Sequence, residues 1–262
     1  MDFGLHDKHA LVLGASQGLG LATARALLAE GARVTLSGRS PERLEAARAA
    51  LPAEQQARCY LAVADLGDAD AAAIISARAQ ELGGPVDILV NNTGGPPPGT
   101  PSAITTEAMA TYFSSMVTPV VALTLDLVAG MRTRGWGRVL TIASSGVVQP
   151  IPHLPLSNAL RSTLVGFMKS LAGEVAADGV TVNIVLPGRI ATGRTQSIDA
   201  AQAQKSGKST EEVAMASTAS IPAGRYGTPE EFAAVVTFLA SSQASYVTGS
   251  MMRVDGGAIR AI

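Results

Sequence analysis

The stretch HALVLGASQGLGLATARALLAEGARVTL, residues 9–36, leaves this chain little freedom in how it folds. An apolar run, His9–Leu13, passes directly into a turn with glycines at Gly14, Gly18 and Gly20. A helical pattern follows from Gly18 to about Glu30, and then a second β-branched run at Arg33–Leu36. Glycines at this spacing let the backbone turn tightly and approach a pyrophosphate. The N-terminus of the following helix offers unpaired N–H groups and a positive dipole to phosphates. A Gly-rich turn on its own is as often a packing device. The strand before it and the helix after it make this one a nucleotide site, with Gly14, Ser16, Gln17, Gly18, Leu19 and Gly20 against the ligand.

The same alternation runs through the rest of the chain. Further strands are expected at Cys59–Val63, Asp87–Val90, Arg138–Ala143, Thr181–Leu186 and Met251–Val254. Helices are expected at Pro41–Leu51, Asp68–Leu82, Thr105–Arg134, Leu156–Ala177 and Pro229–Ser241. Strand alternating with helix predicts an α/β fold, a Rossmann-type three-layer sandwich. Its doubly wound, parallel, seven-stranded sheet carries helices on both faces. No linker interrupts the rhythm, so residues 1–262 read as one domain. The exception is 188–224, long, polar and rich in Ser, Thr and Gln. A connection of that length is a functional lid or a disordered loop, with weak helical character near Thr210–Ala219.

Composition excludes several classes. With 47% hydrophobic and 16% charged residues the chain has a sizeable core. A net charge of −1 without a basic stripe gives nucleic acid no electrostatic hold. Cys59 is the only cysteine, which fits a reducing compartment, and the first residues carry charges where a leader would be apolar. No apolar run approaches the roughly 20 residues of a membrane span. The expectation is a cytoplasmic protein with no membrane partner and no metal site.

The second strand ends in SGRSPER. A carboxylate at that tip would favour the free ribose hydroxyl of NAD. Gly38 and Arg39 stand there instead, and a guanidinium pairs with a 2′-phosphate. NADP(H) is expected over NAD(H), unless Arg39 only completes a solvated turn.

Several motifs then follow in order: Asp65–Leu66 after the third strand, NNTG (Asn91–Gly94), GRVLTIASS (Gly137–Ser145), TVNIVLPG (Thr181–Gly188) and VTGSMMRVDGG (Val247–Gly257). With the glycine turn, they resemble the short-chain dehydrogenase/reductase family, close to its 3-oxoacyl-[acyl-carrier-protein] reductase type, over nearly the whole chain. The resemblance implies cofactor contacts at Asp65, Leu66, Asn91, Thr93 and Gly94. Asn91 would also stabilise the sheet, and Asp65 suits a helix cap equally well. It further places Pro187, Gly188, Ile190 and Thr192 at the nicotinamide.

The family's catalytic residues are an Asn, a Ser, and a Tyr and Lys four apart. Ser144 matches the Ser. Thirteen residues on, the Tyr position holds Ser157, and the Lys position holds Arg161; the Asn position holds Met116. An aliphatic hydroxyl is far less acidic than a phenol near pKa 10, and Arg gives up no proton at accessible pH. Arg161 could still grip ribose hydroxyls, whereas Met116 closes the water relay with apolar bulk. The cofactor site survives these changes and the proton relay does not. His153, in QPIPHLP, could serve as a substitute acid or be an ordinary exposed loop residue. Tyr112 reads first as a core aromatic. Arg189 and Arg194 open the lid toward an anionic substrate, a cofactor phosphate or solvent. GGPPPGTP and QPIPHLP form either two rigid apolar walls for an apolar carbonyl or alcohol substrate, or two surface turns.

Helices 105–134 and 156–177 are apolar on more than one face, and by the resemblance they form the interface of a homotetramer. Three functions stay open. The chain is an NADP(H)-dependent oxidoreductase with altered proton delivery, a nucleotide-binding sensor or structural partner without turnover, or a non-redox dehydratase or isomerase on the same fold.

Overall fold

A computed structural model describes residues 2–261. Seven strands form one parallel sheet in the order β3-β2-β1-β4-β5-β6-β7. They are β1 (His9–Val12), β2 (Arg33–Gly38), β3 (Cys59–Val63), β4 (Ile88–Asn91), β5 (Gly137–Ile142), β6 (Val180–Pro187) and β7 (Met251–Val254). Each lies within a residue or two of its expected place. Strand order reverses at β1, which pairs with β2 on one side and β4 on the other. A reversal of this kind opens a crevice beyond the carboxyl ends of the strands, where ligands of doubly wound sheets bind.

The helices are α1 (Gly18–Ala29), α2 (Pro41–Ala49), α3 (Ala53–Gln56), α4 (Ala71–Gly83), α5 (Thr106–Met116), α6 (Thr118–Thr133), α7 (Pro155–Val175), α8 (Gly193–Ser206), α9 (Thr210–Ala219) and α10 (Pro229–Ala240). Alternation along the strands divides the core in two. Ala10 and Val12 face α1, α2 and α10, packing with Leu27, Leu44 and Phe232. Leu11 and Leu13 face the opposite way, against α4, α6 and α7, with Ile75, Leu123 and Leu164. That period of two, repeated on β4, β5 and β6, is what makes the three layers.

Three expectations are corrected. The helix expected over Thr105–Arg134 is two helices, broken at Val117 (φ −111°, ψ −59°). Pro119 has no N–H to continue the first helix, and sits instead in the first turn of α6, where none is needed. The stretch Thr106–Thr133 is also long and apolar enough, by length and composition, to span a membrane, with an 18-residue window of mean hydropathy 1.6. Its Val120, Leu123 and Leu127 lie buried in the core layer against the sheet. Lastly, 188–224 is neither loop nor weakly ordered. It folds as the helix pair α8 and α9: α9 is the helix expected near Thr210–Ala219, opened by a reciprocal capping box between Ser209 and Glu212, and α8 is the one not expected. Its ends are joined by a bridge pairing Ile190 with Gly227, and Arg189 Nη1 donates to the buried Asp199 at 2.7 Å.

Candidate active site

The glycine turn lies at the crevice. Gly14 and Gly18 both have φ of +58°, a region L side chains rarely enter. Gly20 is fixed by proximity: a methyl there would lie 2.4 Å from the Gly14 carbonyl oxygen. Helix α1 starts at Gly18 with no side-chain cap from Gln17 and no acidic residue in its first turn. Its leading N–H groups are therefore left for a ligand, and an anion meets no competing carboxylate. Asn92, which sequence reasoning passed over, braces the turn by donating Nδ2 to the carbonyls of Leu13 (3.2 Å) and Gly14 (3.3 Å). Its place beside Asn91 in NNTG was the only available signal.

Arg39 stands at the tip of β2 with its side chain 78% exposed and the Asp65 carboxylate 3.9 Å away. So loose a pair leaves the guanidinium available. Asp65 accepts from the Gly67 N–H at 3.0 Å, which is a turn role, and Leu66 packs on the core. Asn91 is 1% exposed and donates to the hydroxyls of Thr124 (3.0 Å) and Thr141 (3.4 Å). Its side chain ties β4 to α6 and β5, so the expected ribose contact is left to its backbone alone. Thr93 is buried, with its hydroxyl oxygen unpaired. Beyond β6, Pro187 is half-buried and Gly188 N–H donates to Val254 at 2.9 Å. Ile190 is buried in the core, while Thr192 caps α8. A methyl on Gly18 would lie 3.9 Å from Thr192 Cγ2, so the base of the lid leans over the glycine turn. These residues fit a dinucleotide: a glycine turn at positive φ, free helix N–H groups, and an exposed arginine at the tip of β2.

Ser144 lies two residues beyond β5. Its Oγ accepts from the Gly146 N–H at 3.1 Å, capping the turn Ser145–Val147 and leaving the hydroxyl proton to donate elsewhere. Ser157 and Arg161 lie one turn apart on α7, each 8% exposed. The Ser157 hydroxyl makes no side-chain hydrogen bond among the described residues. Arg161 donates Nη1 to the Ile142 carbonyl (3.0 Å), and Nη2 to those of Thr93 (3.3 Å) and Gly94 (3.2 Å). Burial first, and the Arg194 charge second, push its pKa down to about 10, so it stays charged near neutrality. Met116 is 4% exposed and packs in the same core cluster as Leu160, with Tyr112 against that cluster.

His153 is exposed, at φ +65°, and its ring has no partner. Its carbonyl accepts from Gly99 N–H at 2.9 Å, which joins the two proline-rich loops. Asn158 pins the second loop to α7, donating to the Ile151 carbonyl at 3.0 Å. Arg194 in turn reaches from α8 to the Pro96 carbonyl at 2.9 Å. The two proline loops and the start of α8 are thus bonded together near the end of β5.

Residues 14–258 match a family model described as enoyl-(acyl carrier protein) reductase. The chain belongs to the short-chain dehydrogenase/reductase family. Nodulation protein G of a Rhizobium species is 38% identical, over 97% of this chain and 98% of the relative. A 3-oxoacyl-[acyl-carrier-protein] reductase of Vibrio cholerae is 34% identical, over 97% of this chain and 98% of its own length. Among solved structures, L-sorbose reductase from Gluconobacter frateurii, complexed with NADPH and L-sorbose, superposes with a TM-score of 0.94. It shares 32% identity and covers 100% of both chains. As a short-chain dehydrogenase/reductase this chain is an NAD(P)-dependent oxidoreductase by family.

Proposed function

We propose that this chain is an NADP(H)-dependent oxidoreductase acting on a carbonyl or alcohol, with its proton supplied by water rather than by a phenol. The observation that carries the reading is the uncapped N-terminus of α1 behind the Gly14–Gly20 turn, with Arg39 free at the end of β2. Relatives that use NADPH, such as the sorbose reductase complex, support the cofactor choice. When bound, NADPH supplies hydride to the carbonyl carbon. The chain's own residues orient the substrate oxygen. Ser144, whose Oγ already accepts from Gly146, has its hydroxyl proton left to donate to that oxygen. Ser157 is too short to reach where a phenol would, so the alkoxide takes its proton from solvent. Positioned acid catalysis is worth roughly 10²–10⁴-fold, so turnover is slow but not abolished. Arg161 holds the carbonyls of Ile142, Thr93 and Gly94, and so fixes the backbone on which Ser144 stands. The exposed Phe113 on α5 and Leu125 on α6 support assembly through these helices as a homotetramer.

One observation favours the second reading, a nucleotide-binding protein without turnover: Met116 fills the relay position with buried thioether. Fluorescence titration with NADPH and NADH, followed by ketone reduction assays, separates the two. Wild-type and Met116→Asn/Ser157→Tyr/Arg161→Lys proteins are compared. Slow wild-type turnover supports the oxidoreductase, whereas tight NADPH binding with activity only in the triple variant supports the binder. Absence of nucleotide binding removes both.

A further inference from the structure

Arg161 and Arg194 approach one glycine from two different elements. Arg161 rises from α7, buried, and bonds only backbone carbonyls. Arg194, exposed in the first turn of α8, has one such bond, to Pro96. A methyl on Gly95 would lie 3.4 Å from Arg194 Nη2 and 4.0 Å from Arg161 Nη2. The side-chain-free face of Gly95 is therefore bounded by both guanidinium groups, and Gly95 is itself exposed. Among the described residues no carboxylate lies within 4.0 Å of either cation. Arg189, five positions before Arg194 in sequence, has its acid in Asp199.

Two facing cations without a counter-charge repel, and the buried one also lacks water. The depressed pKa of Arg161 reflects both effects. An anion over Gly95 would relieve them together. Each guanidinium carries five N–H donors, and neither has used all of its own. A carboxylate is planar and small, and matches a guanidinium fork. The Ile142 carbonyl that Arg161 holds is two residues from Ser144, so an anion here sits beside the reacting oxygen rather than at the glycine turn.

We infer that the face of Gly95 between Arg161 and Arg194 binds a substrate carboxylate, and that the substrate is an oxo acid or hydroxy acid with an apolar body. The assignment of that carboxylate to a substrate rests on the oxidoreductase reading. Specificity for an acid over a neutral ketone would come from these two residues, and from the absence of a side chain at residue 95.

The test is calorimetric titration with 3-phenylpropanoate and its neutral partner 3-phenylpropanamide, with and without saturating NADP⁺. The carboxylate is expected to bind at least about tenfold more tightly, a difference of about 1.4 kcal/mol. Arg194→Gln and Gly95→Val, both at exposed positions, should each bring the two probes close to parity. NADP⁺ affinity should change less than about twofold in either variant. Equal binding of the probes by wild type, or a preference that survives both substitutions, overturns the inference. So does a preference that NADP⁺ abolishes, because the anion site would then belong to a cofactor phosphate. Failure of NADP⁺ to bind would sink the oxidoreductase reading, while the titration without it still decides the anion site.

Discussion

Arg161 donates its Nη1 proton to the carbonyl of Ile142 at 3.0 Å, joining α7 to the last residue of β5. The side chain is a planar fork, bonded to the chain's own backbone. The fork ties β5, the Thr93–Gly94 turn and α7 together beside Ser144.

Replacing that fork should cost stability before it costs chemistry. Hydrogen bonds from a charged donor contribute about 1.5–3 kcal/mol, and a buried carbonyl left unpaired costs about 1–3 kcal/mol. Against this stands the desolvation of an unpaired cation, which Met would remove. Three carbonyls lose their donor, so the loss should win. Arg161→Met is expected to be less stable by about 2 kcal/mol, or roughly 4–8 °C in Tm at about 2–4 °C per kcal/mol. Arg161→Lys should fall between the two, because one ammonium cannot reproduce the fork. Thermal denaturation decides it, and an unchanged or raised Tm for Arg161→Met would show that desolvation dominates.

His153 is expected to be dispensable for turnover. Its ring is exposed and without a partner, so nothing holds it in reach of a substrate oxygen. A working general acid lost would lower kcat by roughly 10²–10⁴-fold. His153→Ala should instead leave kcat within about threefold. A hundredfold drop with NADPH affinity intact would make His153 the proton donor after all.

Cofactor preference should turn on Arg39. The exposed guanidinium would make charge-assisted bonds to a 2′-phosphate, which water screens toward the low end of about 1.5–3 kcal/mol. Arg39→Ala is therefore expected to weaken NADPH about tenfold and leave NADH nearly unchanged. Equal losses for both would show that Arg39 supports the turn rather than reading the phosphate.

Acid should destabilise the first strand through His9. Its Nδ1 lies 2.8 Å from the Gly84 carbonyl, which only accepts, so Nδ1 carries the proton and Nε2 accepts from the Thr35 hydroxyl at 2.9 Å. That arrangement is neutral, and burial holds the folded pKa below 6.5. The unfolded chain takes up a proton near pH 6.5 that the folded chain refuses. The stabilisation is complete above that pH and lost as pH falls below it, at up to about 1.4 kcal/mol per pH unit. His9→Gln should flatten this part of the Tm profile between pH 7 and 5. An identical slope in that variant would assign the acid sensitivity elsewhere.

Much of this was legible in the sequence, for reasons that particular residues make plain. The sheet could be read because Ala10, Leu11, Val12 and Leu13 are all buried, by turns on opposite faces, and such runs look like little else. Helix α8 could not, because of its residues only Asp199 and Ala203 are buried, and its pattern carries no apolar stripe. The break at Val117 was hidden because apolar residues continue across it, although Pro119 was in view. At the site, Ser157, Arg161 and Met116 were singled out by the family resemblance, which supplied the positions to count to. Their partners were not. Arg161 bonds three backbone carbonyls, and carbonyls are the same at every position, so no sequence pattern announces them.

The pairing of Ile190 with Gly227 brings together the two ends of the excursion that holds α8 and α9. Lengthening a loop whose ends are already held together costs little, about 0.6 kcal/mol for each doubling. The segment between those residues can therefore change length at little cost in chain entropy, provided it keeps its bonds to the body, such as that of Arg194 to Pro96. Insertions and deletions are therefore expected to collect in this excursion and not in the strands that flank it.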